Sequence, residues 1–379
     1  MKILLVSTQD YLHHPIPSRH HYIFEELARR HEVHVPHFHV SQGAERKTRL
    51  VVHEATRFTG GGPLVHYTLN APTHFRVLGQ IVRECGIEVV VASHVLAGMA
   101  VIRAARNNHV PVVFDLKDWF PDSAAAYYRN RVSKRIIRDA VWFVTRYNLD
   151  RSERITTVSP SLVAKLRSFG YDATLVTNGV DTDRFVPLDG GEMRRQLGIG
   201  AGEFVLGFEG SVERWYALDR VIAALPELLR HRPDTRLLVV GGSLFTGYLD
   251  ELKRQAGELG VLDRIIFTGP VRYHDLPGYI APMDLCLIPL SPPGWVDIAL
   301  PNKFFEYSAC GKPILSTPIP DVMAIGGGHL SIYRNEAEFT DLVREAMDNP
   351  QTYRPDVGRF SWRRKAGEFE EILGGLVRS

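Results

Sequence analysis

The chain has 379 residues, 45% of them hydrophobic and 23% charged, with a formal net charge of +2. That length exceeds the size at which a single core usually stops growing, so two globular domains are expected and a disordered or fibrous chain is excluded. Three cysteines, Cys85, Cys286 and Cys310, are odd in number and far apart, which excludes a disulfide framework and a zinc-finger spacing and fits a reducing compartment.

The small net charge hides an asymmetry, because residues 1–180 carry 23 Lys and Arg against 15 Asp and Glu, whereas residues 181–379 carry 22 against 28. In chain order, Met1–Val6 is too short for a leader and reads as a first strand. Strands are predicted at Ile3–Ser7, Val33–His39, Val89–Ala92, Val112–Asp115, Ile155–Val158 and Ala173–Val176, with helices between them. Around Leu50–Thr68 two extended segments flank Gly60-Gly61-Gly62, and the expectation is a hairpin or loop excursion. The apolar stretch Val89–Ile102 is interrupted by Ser93 and His94 and is too short to span a bilayer. A helix is predicted near 124–149. Asn178-Gly179 ends the first half.

Strands resume at Phe204–Phe208, Arg236–Val240, Ile265–Thr268, Leu285–Pro289 and Pro313–Ser316, each ending in small residues before a helix. The alternation predicts an α/β protein of two Rossmann-like domains facing across a cleft, 1–180 and 181–359, with an amphipathic helix over 360–379. Ligands of open α/β sheets bind beyond the carboxyl ends of strands. No G-x-G-x-x-G follows the first strand, there is no Walker lysine loop, and no Gly-x-Ser-x-Gly elbow occurs, so nicotinamide, P-loop and serine-hydrolase chemistries are unsupported.

The run Leu300–Ser316 carries the most chemistry. Pro301 precedes a short helix, Asn302 is the expected N-cap, and Gly311 with Pro313 stops it. Free N–H groups at its start attract an anion such as a diphosphate, Lys303 adds a positive charge, and Glu306 lies on the same face, placed to accept from ribose hydroxyls. Three small-residue loops, Gly210-Ser211, Gly241-Gly242-Ser243 and Gly269-Pro270-Val271-Arg272-Tyr273, end strands of the same sheet. Gly210 allows close backbone approach, and Ser211 can donate to phosphate.

With Asn178–Asp181, Phe208–Ser211, Trp215–Asp219, Arg236–Gly241, Phe267–Val271, Pro301–Ile314 and Phe360–Trp362, the chain resembles the family-four glycosyltransferases of the GT-B fold, and Asp115–Asp122 is similar to an acidic-aromatic loop in one branch of them. The resemblance implies a retaining transferase that moves a sugar from a nucleoside-diphosphate sugar to an acceptor, without a metal or other cofactor. It places Glu306 on the ribose, Lys303 on the diphosphate, Gly210 and Ser211 along the phosphates with Gly242 and Ser243 beside them, and Val271–Tyr273 at the base. Pro301 and Asn302 open the helix that holds the donor. The resemblance also implies that the 360–379 helix returns to the first domain.

The chain departs from the family pattern in three places. Where a first glutamate is common, Ile298 stands, with Asp297 beside it as a replacement or a solvated loop residue. The usual phosphate-loop arginine and lysine align with Ser211 and Tyr216, leaving Arg214 as a replacement cation or a plain surface arginine. The first loop reads His13–His21; there Ser18 caps the first helix, and Arg19 and His20 would point toward the acceptor side.

Two readings stand for His94, an acceptor-side group or a satisfied core histidine. Asp118 is the preferred acceptor contact and acid–base candidate, with Asp115 and Asp122 as competitors. No metal site is assigned: His34, His37 and His39 lack helical ligand spacing, and an alternating strand scatters them over both faces. Arg131, Lys134, Arg135, Arg138, Trp142 and Arg146 form a basic face suited to an anionic bilayer or to plain solvent. The expected partners are a nucleotide sugar, a glycan or lipid-linked acceptor and a membrane surface, not nucleic acid; the expected place is the cytoplasm, at the inner face of the membrane. The competing readings are a non-catalytic sugar-nucleotide-binding subunit and another GT-B enzyme such as an epimerase.

Overall fold

The computed structural model describes the chain apart from residues 15–16, 42, 57–62, 127, 129, 244–246, 292–297, 299, 355 and 379. It divides into two compact units, Met1–Asn178 with Trp362–Ser379, and Gly179–Ser361. Each is built on a parallel sheet.

The first unit holds β1 (Lys2–Val6), β2 (Glu32–His37), β3 (Val51–Glu54), β4 (Val89–Ala92), β5 (Val112–Leu116), β6 (Arg154–Thr157) and β7 (Thr174–Leu175), in the order β3-β2-β1-β4-β5-β6-β7. Ile3, Leu4, Leu5 and Val6 are all fully buried, which is why β1 reads as an unbroken apolar run: helices cover both faces of a parallel sheet. One covering helix is Trp362–Val377. Its apolar residues Trp362, Ala366, Phe369 and Leu373 recur at helical spacing and are buried. It packs on the helix Arg19–Leu27, with Tyr22 and Trp362 stacked at 5.1 Å and Phe24 against Phe369 at 5.6 Å. The end of the chain therefore belongs to the first unit, and Arg30 pairs with Glu370 at 2.5 Å to hold its outer side.

The Leu50–Thr68 region differs from expectation. Val51–Glu54 is a regular edge strand, parallel to β2 in the register His34↔Val51 and Pro36↔His53, and not part of a hairpin. A parallel pair needs a crossover, usually helical, but no helix lies among the described residues of 38–50, so the helical period that announces such a unit is missing. The expected helix near 124–149 is two helices, Phe120–Ala126 and Arg131–Leu149. The second is capped by Asn130, whose side chain accepts from Val132 N–H at 2.8 Å.

The second unit holds β8 (Phe204–Glu209), β9 (Thr235–Val240), β10 (Ile265–Gly269), β11 (Leu285–Ile288), β12 (Ile314–Ser316) and β13 (Leu330–Ile332), ordered β10-β9-β8-β11-β12-β13. The unexpected strand is β13, three residues long at the sheet edge after a glycine run, too short for a period-two signal. The strand order turns between β8 and β11, so the carboxyl end of β8 is the topological switch point at which such sheets bind ligands.

Candidate functional site

Beyond β8 the chain needs an unusual backbone. Gly210 has φ +123° and Gly241, after β9, has φ +133°, both in the region that favours glycine. A β-carbon on Gly241 would stand 1.9 Å from the Gly210 carbonyl oxygen, so the two loops touch backbone to backbone. They are tied by Gly210 N–H to Val240 O (2.9 Å), Val212 N–H to Gly242 O (3.0 Å) and Gly241 N–H to Gly269 O (3.0 Å). The three loops expected to converge do so.

The helix Asn302–Ala309 comes to the same place. Its N-cap is Pro301, not Asn302, because the extended residue before the first turn is Pro301; Asn302 is the exposed first helical residue and makes no capping bond. From that turn Lys303 runs inward, with only 4% of its surface exposed. Its ammonium lies 3.6 Å from the centroid of the Tyr216 ring and 4.5 Å from that of Phe208. A β-carbon on Gly210 would stand 3.0 Å from Lys303 Nζ. Among the described residues no carboxylate lies within ion-pair distance of this ammonium.

Glu306, one turn on, is 5% exposed and accepts from the Tyr273 hydroxyl at 2.7 Å. Burial, and next the negative charge of neighbouring Glu209, push its carboxyl well above the usual range, against the Tyr273 hydrogen bond and Lys303. Burial likewise raises Glu209, opposed by Lys303. Two carboxyls facing each other in a dry site disfavour double ionisation. Glu209 was not singled out by motif; the signal was there, an acidic residue closing the otherwise apolar run of β8 just before Gly210. Its backbone N–H donates to the buried Tyr307 hydroxyl at 2.9 Å, which fixes β8 to the helix. Two further groups face inward without partners among the described residues, Glu209 Oε1 and the buried Ser243 hydroxyl.

The other donor-side candidates divide. Gly242 packs against Pro270 in the loop cluster, and Val271 is half-buried against the core. Ser211 follows Gly210, half-buried. Arg272 faces away from Glu306 toward solvent, paired with Asp275 at 2.8 Å, and only Tyr273 of that loop reaches the carboxyl pair. Arg214 ends in an ion pair with Glu251 beside the Tyr248 ring and is more than half exposed, so it does not stand in for a phosphate-loop cation here. Asp297 lies outside the described residues.

In the first unit the acceptor-side candidates are placed differently from expectation. Arg19 and His20 turn inward, because the first helix buries both: Arg19 donates to Val176 O at 3.0 Å and lies 3.6 Å from Asp115, and His20 Nε2 lies 2.9 Å from Asp115. Asp115 is thus a buried counter-ion, not an acceptor contact. His94 caps its own helix, Val95–Asn107, its Nδ1 accepting from Leu96 and Ala97 N–H at 3.2 and 3.1 Å. Burial, then nearby His74 and Lys117, lower it to about 3, so the ring stays neutral. Asp122 pairs with Lys165 at 3.3 Å. Asp118 remains exposed on the loop after β5.

Comparison with known proteins agrees with this anatomy. Residues 20–184 match the family described as Glycosyltransferase Family 4, and residues 203–349 match Glycosyl transferases group 1. The chain is 35% identical over 255 residues to the GDP-mannose-dependent alpha-(1-6)-phosphatidylinositol monomannoside mannosyltransferase of Mycolicibacterium smegmatis, covering 62% of each chain. It is 28% identical over 236 residues to the D-inositol 3-phosphate glycosyltransferase of an Arthrobacter strain, 58% of this chain and 54% of that one. The matches thus span less than two thirds of those relatives' lengths. Among solved structures, Anabaena HepE in complex with UDP and glucose superposes with a TM-score of 0.75 at 19% identity over 99% of both chains, a likeness of fold. Two domain matches in the right order, and the same two-sheet architecture end to end, establish that the chain belongs to the family 4 (group 1) glycosyltransferases and has the GT-B fold.

Proposed function

We propose that this protein transfers a sugar from a nucleoside-diphosphate sugar to a glycan or lipid-linked acceptor, with retention at the anomeric carbon. The observation that carries the reading is the Lys303 ammonium, buried at the β8 switch point against Gly210 and without a carboxylate partner among the described residues. A cation held there favours a diphosphate, and the N-terminal end of its helix adds N–H donors. Ser243, whose hydroxyl has no hydrogen-bond partner among the described residues, and Ser211 suit phosphate oxygens. Glu306 suits the ribose diol, and Val271 and Tyr273 suit the base side.

Lys303 stabilises the charge that grows on the departing diphosphate. A leaving phosphate oxygen takes the proton of the incoming acceptor hydroxyl on the same face, so no side-chain nucleophile is needed and the configuration is kept. Glu209 orients the sugar, in place of the carboxylate missing at Ile298. Exposed Asp118 is assigned to acceptor contact. No metal or cofactor takes part, since Lys303 and the helix terminus supply the positive charge. Relatives named for GDP-mannose and a neighbour holding UDP bracket the donor choice.

A donor panel including GDP-mannose and UDP-glucose, read by nucleotide release with and without acceptor, tests the activity; release that ignores acceptor overturns the transferase reading. Lys303→Ala and Glu306→Ala should each weaken nucleotide binding at least about tenfold, roughly 1.4 kcal/mol. Unchanged calorimetric affinity in both overturns the site.

The acceptor side draws on the helix Arg131–Leu149, where Val132, Ile136 and Phe143 are 65%, 61% and 69% exposed on one stripe, beside exposed Arg131, Lys134, Arg135 and Arg138. Trp142 is no part of that stripe, as it packs between Trp119 and Phe169. An exposed apolar stripe flanked by cations supports peripheral binding to an anionic bilayer at its cytoplasmic face, with about 1 kcal/mol from each cation. Vesicles rich in anionic lipid should sediment the protein, and both salt and Phe143→Ser should release it. Retention indifferent to both overturns the membrane reading.

A further inference from the structure

The histidines of β2 and β3 form a cluster that the transfer reaction does not use. Alternation along β2 places His34 and His37 on opposite faces, and the register of β3 puts His53 on the His34 face, one step along. The two rings stack with centroids 5.1 Å apart, and His34 Nδ1 lies 2.8 Å from His53 Nε2. The helix Ala71–Glu84 delivers Cys85 to the same point, its Sγ 3.9 Å from His53 Nε2. All three ligand atoms lie within 4.8 Å of one another.

The remaining nitrogen of His34, Nε2, lies 3.0 Å from Glu32 Oε1. That contact holds the Nε2–H tautomer and leaves the Nδ1 lone pair facing the other two groups, the carboxylate–histidine arrangement that orients metal-binding imidazoles. Tetrahedral zinc sits about 2.0–2.3 Å from nitrogen and sulfur ligands, so atoms already this close need little movement to surround it. His34 is buried while His53 and Cys85 are half-buried, which leaves a water-accessible fourth position.

We propose that His34, His53 and Cys85 bind a borderline-soft divalent cation, zinc in the first place, with water as fourth ligand. Two nitrogens and a sulfur select zinc over magnesium or calcium, which take oxygen ligands. On binding, the His53 ring proton passes from Nε2 to Nδ1 and the Cys85 thiol proton is released to solvent, so one proton leaves for each ion bound. The ion clamps the edge strand β3 to β2 and to the end of the Ala71–Glu84 helix, three elements that backbone bonding alone joins only along one edge. Its role is structural, apart from the diphosphate site. On the other face of β2, Asp10, His13 and His37 also approach one another, but the Asp10 oxygens already accept N–H groups from Leu12, His13 and Ser41.

The test uses untagged full-length protein, stripped with a chelator and titrated with Zn²⁺ by calorimetry and with Co²⁺ by absorbance. The expected result is one equivalent bound, a thiolate-to-cobalt charge-transfer band, and a thermal midpoint that rises with zinc. Cys85→Ser should abolish the band, and Glu32→Gln should weaken zinc binding about tenfold, while zinc-free midpoints match the parent. His37→Ala should change none of these. No charge-transfer band, or zinc binding lost in His37→Ala and kept in Cys85→Ser, overturns the proposal.

Discussion

Two buried carboxyls, Asp115 on β5 and Glu306 on the helix Asn302–Ala309, are shifted in opposite directions although burial alone would raise both. In the first unit Asp115 is held down to about 2: burial alone would raise it, but the Arg19 guanidinium and hydrogen bonds from His20 and Thr156 overcome that. In the second unit Glu306 is pushed up, with a second carboxyl for a neighbour. Around Asp115 the side chains are linked, Ser7 to His20 at 3.1 Å, His20 to Asp115 at 2.9 Å and Thr156 to Asp115 at 2.8 Å, although Arg19 Nε and Nη1 have no hydrogen-bond partner among the described residues. The order Ser7–His20–Asp115 matches a nucleophile triad, yet no member is more than 7% exposed, so the network is a closed strut. Around Glu306, among the described residues, the Ser243 hydroxyl and Glu209 Oε1 have no hydrogen-bond partner and Lys303 has no carboxylate within ion-pair distance. A buried carboxyl is held ionised by a neighbouring guanidinium in one unit, and in the other it stands beside a second carboxyl and a lysine that has no carboxylate within ion-pair distance among the described residues.

The sharpest break of this comparison is Asp115→Ala, which strands Arg19 as a buried unpaired charge and should cost about 3–5 kcal/mol in denaturant unfolding. A loss below 1 kcal/mol would show that the network braces nothing. Because the folded value of Asp115 lies below its ordinary 3.8, its contribution is present above about pH 4 and is lost as pH falls toward 2, a change of about 2 kcal/mol. Acid titration of the parent against Asp115→Asn reads that difference.

Next in size, Gly241→Ala should cost about 3 kcal/mol and abolish nucleotide binding, since its β-carbon meets the Gly210 carbonyl at 1.9 Å. Calorimetry and thermal melts check it together. The smallest effect has the opposite sign. Glu306→Gln removes one of two carboxyls whose folded values are raised, so the parent loses more stability than the variant as pH climbs above the ordinary carboxylate range. At pH 8 the ligand-free variant should be about 1 kcal/mol more stable. Unfolding curves at pH 5 and pH 8 decide it, and equal slopes in parent and variant would remove Glu306 from the open site.

The strands with full apolar runs were legible because parallel sheets bury both faces, and Lys303 with Glu306 because one helical turn sets their spacing. Edge strands β3 and β13 were not, being three or four residues long with little burial pattern. Arg19 and His20 were misread because their direction depends on Asp115, 95 residues from His20 in sequence, and spacing carries no trace of that pairing. The histidine faces were legible; their partners were not, since Val51–Glu54 had no assigned register. Glu209 needed only the question of why an acid should end a buried strand.

One contact has a kinetic consequence. The Lys303 ammonium rests on the faces of Tyr216 and Phe208, a cradle of polarisable rings. On the proposed reading, a diphosphate entering beside Gly210 would meet a charge already largely dehydrated. On that reading the lysine would exchange its ring contacts for the phosphate oxygens on binding and return to them on release.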